Sequence, residues 1–265
     1  MSQARTLIST VDGPWINNRS KEVIPLHIDV VYLISGVSQE TLKQRSEMLQ
    51  RFASPGTEVR IVQTTHAPPS VESQAEMELA APGILERVVR SQKEGADAVV
   101  IWGGHDPSLV AARELVSIPV LGPGMASMYL ASALANQFSL LIQLSNVIGI
   151  AQRQVRDLGL ESRCASIRSV EIPVLDLLKQ ESFEAVKETA VAAIEEDGAD
   201  AICLGCMGLV GHTAPLSTAL ASSHPDILVI HPGQAVLRLA ELIVGMGISH
   251  SKRSYPSPRK KVSFY

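Results

Sequence analysis

A cysteine stands among glycines just after the second copy of a short repeat. The residues Gly-Ala-Asp-Ala occupy 95–98 and recur at 198–201, and each copy runs on into an apolar stretch. When the two copies are aligned without a gap, Gly103 falls opposite Cys206. A thiol at such a place can take a proton from carbon or return one. Two such groups facing each other across a pseudo-twofold axis would suit inversion at carbon, but the first copy supplies only a glycine.

The surroundings of Cys206 predict an activated thiol. It lies between Gly205 and the pair Met207-Gly208. We expect free backbone N–H groups of this loop, or a nearby helix N-terminus, to lower the thiol pKa from about 8.5 toward neutrality. The alternative is a small buried hydrophobe, which free cysteines often are. Cys203 lies inside the preceding apolar run, and there we expect an inert core thiol.

A second pair of segments indicates that the chain is an internal duplication. IPVLGPG at 118–124 has a counterpart in ILVIHPG at 227–233, in the same order relative to the first repeat. Short apolar runs alternate with helical patterns, and the composition is 46% apolar with 4% aromatic residues. This pattern predicts an α/β fold of two pseudo-symmetric lobes, each with a parallel sheet flanked by helices. The active site is expected in the cleft between the lobes, where the strands end.

The predicted domains are a polar N-terminal extension at 1–26, a first lobe at 27–137, a second lobe at 138–250 and a basic tail at 251–265. The C-terminal helix could cross over to the first lobe. Apolar runs predict strands at 27–35, 57–65, 96–104, 118–122, 138–145, 163–170, 200–206 and 227–233. Helical periodicity predicts helices at 39–51, 72–94, 107–115, from 125 onward, 147–158, 181–197 and 234–246.

Bulk properties exclude several classes of partner. The net charge of −4 gives no sign of a surface that binds nucleic acid or an anionic membrane. No apolar stretch is long enough to span a bilayer. Three cysteines cannot all pair, so a reducing, cytoplasmic location is expected. The seven histidines show no metal-ligand spacing and no nucleotide-binding loop is recognisable, so we expect no metal and no cofactor. The expected partner is a small-molecule carbon acid.

Other residues near the predicted strand ends could serve the same chemistry. His105 could supply the missing base, because its ordinary pKa of about 6.5 suits proton transfer, or it could be a structural or substrate-contacting residue of the loop. For Ser38 a helix N-cap is the favoured alternative, and Asp106 is expected to cap a helix that begins at Pro107. The candidate substrate-contacting residues are Ser35, Ser38, Ser70, Gly103, Gly104, Gly205, Met207, Gly208 and His231, the glycines through N–H groups facing an enolate oxygen.

Four segments carry a resemblance to a known family. LGCMGLVG (204–211), HDPSLVAAREL (105–115), IRSVEIPVLDL (167–177) and GISHSKRSY (247–255) resemble the hydantoin and allantoin racemases of the aspartate/glutamate racemase superfamily. The resemblance covers roughly residues 27–255. It implies two α/β lobes, no cofactor, a homo-oligomer and a carbon acid held between two cysteines.

Two positions depart from the family pattern. Cys206 matches the second family cysteine, whereas Gly103 stands where the first is expected. The arylmalonate decarboxylases of the same superfamily resemble that arrangement. The first loop also differs, with Ser-Gly-Val-Ser at 35–38 where the family tends to have Asn-Pro-Asn-Thr.

Three functions therefore remain open from the sequence. The leading one is a cofactor-independent racemase or isomerase that moves a proton at a carbon next to a carbonyl, with Cys206 as the acid or base. The second is decarboxylation of a malonate-like acid, in which Cys206 protonates one face of the enolate and Gly103 leaves room for the departing carboxylate. The third is a non-catalytic relative that binds a small molecule.

Overall fold

The computed structural model describes residues 25–259, apart from the side chains of residues 178 and 180. Most of the predicted N-terminal extension, and residues 260–265 of the predicted tail, lie outside this range. Its strands are β1 Leu26–Tyr32, β2 Thr57–Gln63, β3 Ala98–Ile101, β4 Val120–Leu121, β5 Phe138–Ile142, β6 Cys164–Ser169, β7 Ala201–Leu204 and β8 Leu228–Ile230. Its α-helices are α1 Gln39–Phe52, α2 Gln74–Lys93, α3 Leu109–Leu115, α4 Pro123–Leu134, α5 Ile148–Asp157, α6 Phe183–Glu195, α7 Thr213–Leu220 and α8 Pro232–Gly245.

The strands form two parallel four-stranded sheets with the same topology. The order is β2-β1-β3-β4 in one sheet and β6-β5-β7-β8 in the other. The inner strands are almost entirely buried and aliphatic, as a parallel sheet covered by helices on both faces requires. The predicted two-lobe α/β fold is confirmed, and all eight predicted strands are present.

The Gly-Ala-Asp-Ala repeat has the same structural role in both lobes. Gly95 (φ 88°) and Gly198 (φ 73°) adopt the left-handed backbone that ends a helix. Two residues on, the Asp97 carboxylate accepts a hydrogen bond from His27 N at 2.9 Å, and Asp200 accepts one from Gln137 N at 3.0 Å. Each aspartate therefore joins the start of one strand to its neighbour.

Two helices exchange places between the lobes. Helix α4 follows the first sheet but packs against β7 and β8 of the second, while α8 follows the second sheet and packs against β3 and α1 of the first. The two helices also pack against each other. This reciprocal crossing fixes the cleft between the lobes, where β1, β3, β5 and β7 end.

The segment after α8 is attached to the first lobe. His250 Nε2 accepts a hydrogen bond from Val120 N at 2.7 Å. Lys252, in the predicted basic tail, donates to the carbonyl oxygens of Arg113 and Val116 at the end of α3, at 2.7 and 2.6 Å. A cation at a helix C-terminus satisfies carbonyl groups that the helix leaves unpaired.

One helix start and one whole helix show where the prediction departs from the structure. Helix α3 begins at Leu109 rather than 107, because Asp106 (φ 51°) and Ser108 (φ 59°) take left-handed backbone before it. Helix α7 was not predicted, since its sequence lacks a side-chain cap and a strong amphipathic period. Within the described part of the chain, no helix is long and apolar enough to cross a membrane.

Candidate active site

A cavity lies between the lobes at the carboxyl ends of the strands. The loops that follow β1, β3, β5 and β7 all contribute to its walls. It contains about 610 Å³ of empty space, its open mouth included. None of the residues lining it is Lys, Arg, Asp or Glu.

Cys206 enters the cavity from the second lobe as a protonated thiol. Its side chain is 6% exposed, and its Sγ accepts a hydrogen bond from Gly208 N at 3.4 Å. Burial raises the pKa of Cys206 to about 11, against the opposing effect of the Gly208 and Leu209 N–H groups. The predicted lowering of this pKa is wrong, because the cost of burying a thiolate exceeds the gain from two N–H groups. At neutral pH Cys206 is a proton donor.

His105 enters the same cavity from the first lobe as a neutral imidazole. Neither ring nitrogen is accessible to solvent or has a hydrogen-bond partner. Burial lowers the pKa of His105 to about 4, although the amide of Gln154 facing the ring opposes the shift. At neutral pH one ring nitrogen is therefore a free acceptor, which is the state of a general base.

Asp106 fixes the loop that carries His105. Its carboxylate accepts hydrogen bonds from Gly124 N at 2.9 Å, Met125 N at 2.6 Å and Gln154 Nε2 at 2.9 Å. It thus caps helix α4, and the prediction that it caps the helix after Pro107 is wrong. Burial raises the pKa of Asp106 to about 7, against these three hydrogen bonds.

A glycine allows the loops that carry His105 and Cys206 to meet. A Cβ at Gly104 would overlap the carbonyl oxygen of Gly205 and lie 3.1 Å from the Cα of Cys206. A Cβ at Gly103 would point instead toward the side chains of Leu33 and Pro107, at 2.7 and 2.8 Å. The space next to Gly103 is therefore filled, and a cysteine there would require its neighbours to move.

Backbone N–H groups in these loops are mostly engaged. Gly103 N donates to Ile101 O at 2.8 Å, Gly205 N donates to Leu141 O at 2.7 Å, and Gly208 N donates to the Cys206 thiol. Gly104 N and Met207 N donate no hydrogen bond to any residue of the described range. These two N–H groups occupy matching positions in the repeat alignment.

A tyrosine and an arginine lie together beside the thiol. Tyr32 is 4% exposed and stacks on Trp102, with ring centroids 6.4 Å apart. Trp102 Nε1 is buried without a hydrogen-bond partner. Burial raises the pKa of Tyr32 and lowers that of Arg45, whose charge also acts on Cys206. No carboxylate in residues 25–259 pairs with this buried cation.

Gln143 presents an unpaired acceptor to the cavity. It follows β5, is 2% exposed, and its Oε1 has no hydrogen-bond partner. A buried carbonyl oxygen without a partner is costly, so such groups point to a ligand or a water molecule.

Comparison with known proteins shows the family to which the chain belongs. The Asp/Glu/Hydantoin racemase family model matches residues 32–240. The chain belongs to this racemase family. The hydantoin racemase of Pseudomonas sp. (strain NS671) is 35% identical over 210 residues, which cover 77% of this chain and 82% of that protein.

Solved structures of racemases share the fold. The allantoin racemase from Klebsiella pneumoniae is 31% identical with a TM-score of 0.80, over 89% of this chain and 95% of that one. The allantoin racemase from Pseudomonas fluorescens is 29% identical with a TM-score of 0.82, over 90% and 99%. An arylmalonate decarboxylase is 17% identical with a TM-score of 0.57, over 83% and 92%, and shows the fold alone.

The racemase fold brings together most, but not all, of the predicted site residues. The cavity lining contains Cys206, His105, Gly103, Gly104, Gly205, Met207 and Gly208. Ser35, Ser38, Ser70 and His231 are not among the lining residues. Ser35 donates to Ala67 O at 3.0 Å, and Ser38 accepts from Thr41 N at 3.1 Å as the N-cap of α1. His231 caps α8, its Nδ1 accepting from Gln234 N at 3.2 Å.

Four residues near the thiol were not predicted: Tyr32, Arg45, Trp102 and Gln143. Gln143 interrupts an apolar run of the sequence, and Tyr32 is the last residue of a buried strand. Both therefore carried a weak signal in the sequence. Arg45 carried no such signal in the sequence, because it comes close to Tyr32 of β1 only in the folded chain. Within residues 25–259, no group of three His, Cys, Asp or Glu side chains is placed to hold a metal ion.

Proposed function

We propose that this chain is a cofactor-independent racemase that inverts a carbon next to a carbonyl, with His105 and Cys206 acting on opposite faces. One observation carries the proposal. A neutral imidazole from one lobe and a protonated thiol from the other line the same cavity. Inversion needs one unprotonated base and one protonated acid at the same moment, and the pKa shifts of this pair supply both at neutral pH.

The proton balance is complete without a further group. His105 takes the proton from the substrate carbon, and the electron pair of that C–H bond moves into the carbonyl to form an enolate. The Cys206 S–H then delivers its proton to the opposite face of the same carbon, which leaves a thiolate and an imidazolium. Transfer of a proton from the imidazolium to the thiolate through solvent restores the starting pair. The reverse inversion begins from the ionic pair, which the pKa values of the two groups make the minor form at neutral pH.

The enolate oxygen has donors available in both lobes. The N–H groups of Gly104 and Met207 are unengaged and lie in the two loops that carry the acid and the base. Donors held in place before charge develops stabilise the transition state more than the ground state. Removing one such donor typically costs about 2.7–4 kcal/mol of activation free energy.

A decarboxylase is the second candidate. It is favoured by Gly103 at the first-cysteine position and by a thiol that is already protonated, since loss of CO2 needs only a proton donor. The cavity lining argues against it, because a malonate brings carboxylates and none of the lining residues is a lysine or arginine. A non-catalytic relative that binds a small molecule is the third candidate.

Proton NMR in D2O with a panel of chiral 5-substituted hydantoins, allantoin and disubstituted malonates separates the three. Deuterium at the α-carbon together with loss of optical rotation is the expected result. Loss of carboxylate, with one deuterium delivered to one face, would establish the decarboxylase instead. Binding without any exchange or CO2 release would leave the non-catalytic relative.

A further inference from the structure

A second opening, which we call the Arg45 groove, lies between helix α1 of the first lobe and the second lobe. It is lined by Arg45 of α1 and by residues of two segments of the second lobe, 177–184 and 208–215. It contains about 1200 Å³ of empty space, its open mouth included. The groove shares only Gly208 with the cavity, and neither of the proposed reacting groups lines it. It is therefore a place apart from the proposed reaction.

The guanidinium of Arg45 is a buried cation that is open to this groove. Arg45 is 8% exposed, and its one hydrogen bond within residues 25–259 runs from Nη1 to the Met48 sulfur at 3.9 Å. Its Nε and Nη2 have no partner in that range and are not fully enclosed, so both face the groove. A guanidinium keeps its charge at neutral pH even where burial lowers its pKa. A buried charge without a partner is costly, and a bound anion would offset that cost.

The other charged side chains of the groove are at its rim. Lys179 Nζ pairs with Asp176 Oδ1 at 2.6 Å, and Glu184 Oε2 pairs with Lys187 Nζ at 3.3 Å. Glu181 is exposed to solvent. The unpaired positive charge of the groove therefore lies deep, while two carboxylates stand near its mouth. This arrangement favours a ligand with a single negative charge, because a second one would meet the carboxylates of the rim.

Apolar side chains form the wall between the buried guanidinium and the rim. Leu177, Phe183 and Pro215 all line the groove. Phe183 stacks on His212, with ring centroids 6.1 Å apart. The imidazole of His212 is already engaged, since its Nε2 lies 3.0 Å from Leu177 O. This wall offers a ligand apolar contact and no further charge.

We propose that the Arg45 groove is a binding site for a small molecule that has one carboxylate and an apolar body. The carboxylate accepts hydrogen bonds from Nε and Nη2 of Arg45, two donors that lie in one plane and fit the two oxygens of a carboxylate. The apolar body packs against Leu177, Phe183 and Pro215. This assignment does not depend on the racemase proposal, because it uses a different part of the molecule and its test requires no turnover.

The test is calorimetric binding of phenylacetate and phenylacetamide to the full chain at neutral pH. We expect phenylacetate to bind and its uncharged amide to bind at least tenfold more weakly. Arg45→Met should weaken phenylacetate binding about 10- to 100-fold, because hydrogen bonds to a charged group are lost. Arg51→Met removes an exposed arginine from the same helix and should leave the affinity unchanged.

Gly211→Leu tests the groove without altering the guanidinium. A Cβ at Gly211 would meet no atom within 4 Å, so a leucine can extend into the groove without a clash. We expect phenylacetate binding to fall at least tenfold. Gly245→Leu is the matched control, since its Cβ also meets nothing and Gly245 does not line the groove. Denaturant unfolding checks that each variant is folded, and Gly211→Leu decides the test if Arg45→Met is not.

His105→Gln shows whether the probe binds in the cavity instead. It alters the cavity lining and leaves the Arg45 groove untouched, so phenylacetate should bind this variant with unchanged affinity. A loss as large as that in Arg45→Met would place phenylacetate in the cavity and overturn the proposal. Failure of phenylacetate to bind at millimolar concentration, equal binding of phenylacetamide, or unchanged affinity in Gly211→Leu would overturn it as well.

Discussion

The backbone of Gly104 lies directly against the carbonyl of Gly205, so that the loop carrying His105 touches the loop carrying Cys206. No other residue type fits at this contact, because a Cβ at Gly104 would overlap a backbone oxygen that has no freedom to move away. The spacing of the proposed acid and base therefore depends on the absence of a side chain at Gly104.

Gly104→Ala should therefore separate the catalytic loops. We expect a loss of stability of about 3 kcal/mol, the upper part of the range for overpacking, and loss of nearly all activity. Gly149→Ala is the matched control, since its Cβ would meet only Arg153 Nη1 at 3.8 Å. Denaturant unfolding and the racemisation rate give the two readouts. A fully active, fully stable Gly104→Ala would contradict the contact.

Gly103→Cys tests whether the space next to Gly103 is open. Its Cβ would press on Leu33 and Pro107, so we expect the substitution to cost about 1–3 kcal/mol. Adding Leu33→Ala should make the pair less destabilised than the sum of the two single changes, by about 0.5–3 kcal/mol. Leu134, which is 61% exposed, provides the control. Gly103→Cys combined with Leu134→Ala should be additive, and additivity in both pairs would show that Leu33 does not fill the space.

The parts of the fold that could be predicted are those whose sequence signals lie within a few residues of one another. The strands and most helices were predicted because apolar runs and periodicity act within a few residues. The Gly-Ala-Asp-Ala repeat was informative because its residues have the same role in both lobes. Gly95 and Gly198 each end a helix, and Asp97 and Asp200 each join two strands. Helix α7 was missed because packing, and not a local cap, stabilises it.

The site was predicted less completely, since its chemistry depends on contacts between distant residues. Cys206 and His105 could be named from strand ends. The raised pKa of Cys206 could not be anticipated, because the loop N–H groups were expected to dominate and burial does. Tyr32 and Trp102 are far apart in sequence, and only the pairing of β1 with β3 brings them together. Ser35 and Ser38 lie near a strand end as expected, but their hydroxyls bond Ala67 O and Thr41 N, and neither serine lines the cavity.

Asp106 should make stability depend on pH in a defined direction. Its pKa is about 7 in the folded chain against an ordinary value of 3.8, so the folded state binds the extra proton. This contribution is fully present below about pH 4 and is lost as the pH rises through 7. Asp106→Asn cannot titrate and should remove that part of the slope.

The measurement is the free energy of unfolding of Asp106→Asn minus that of the native chain, followed from pH 5 to 8. The difference should shift in favour of the variant as pH rises. Taking a difference cancels the pH-dependent stability contributions of three histidines whose pKa values are lowered, since these act in the opposite direction. They are His105, His231 and His250. A flat difference for Asp106→Asn would contradict the raised pKa.

Isotope exchange on single enantiomers tests the central claim most directly, because it reports on each face of the substrate separately. Each enantiomer of a 5-substituted hydantoin is incubated in D2O with Cys206→Ala or with His105→Gln, and NMR and chiral chromatography follow exchange and inversion. We expect that neither variant inverts and that Cys206→Ala retains exchange of only one enantiomer. His105→Gln should exchange only the other enantiomer, slowly at neutral pH and faster as the pH rises, because its remaining thiol has a raised pKa. Exchange of the same enantiomer by both variants, or undiminished racemisation by His105→Gln, would contradict the claim.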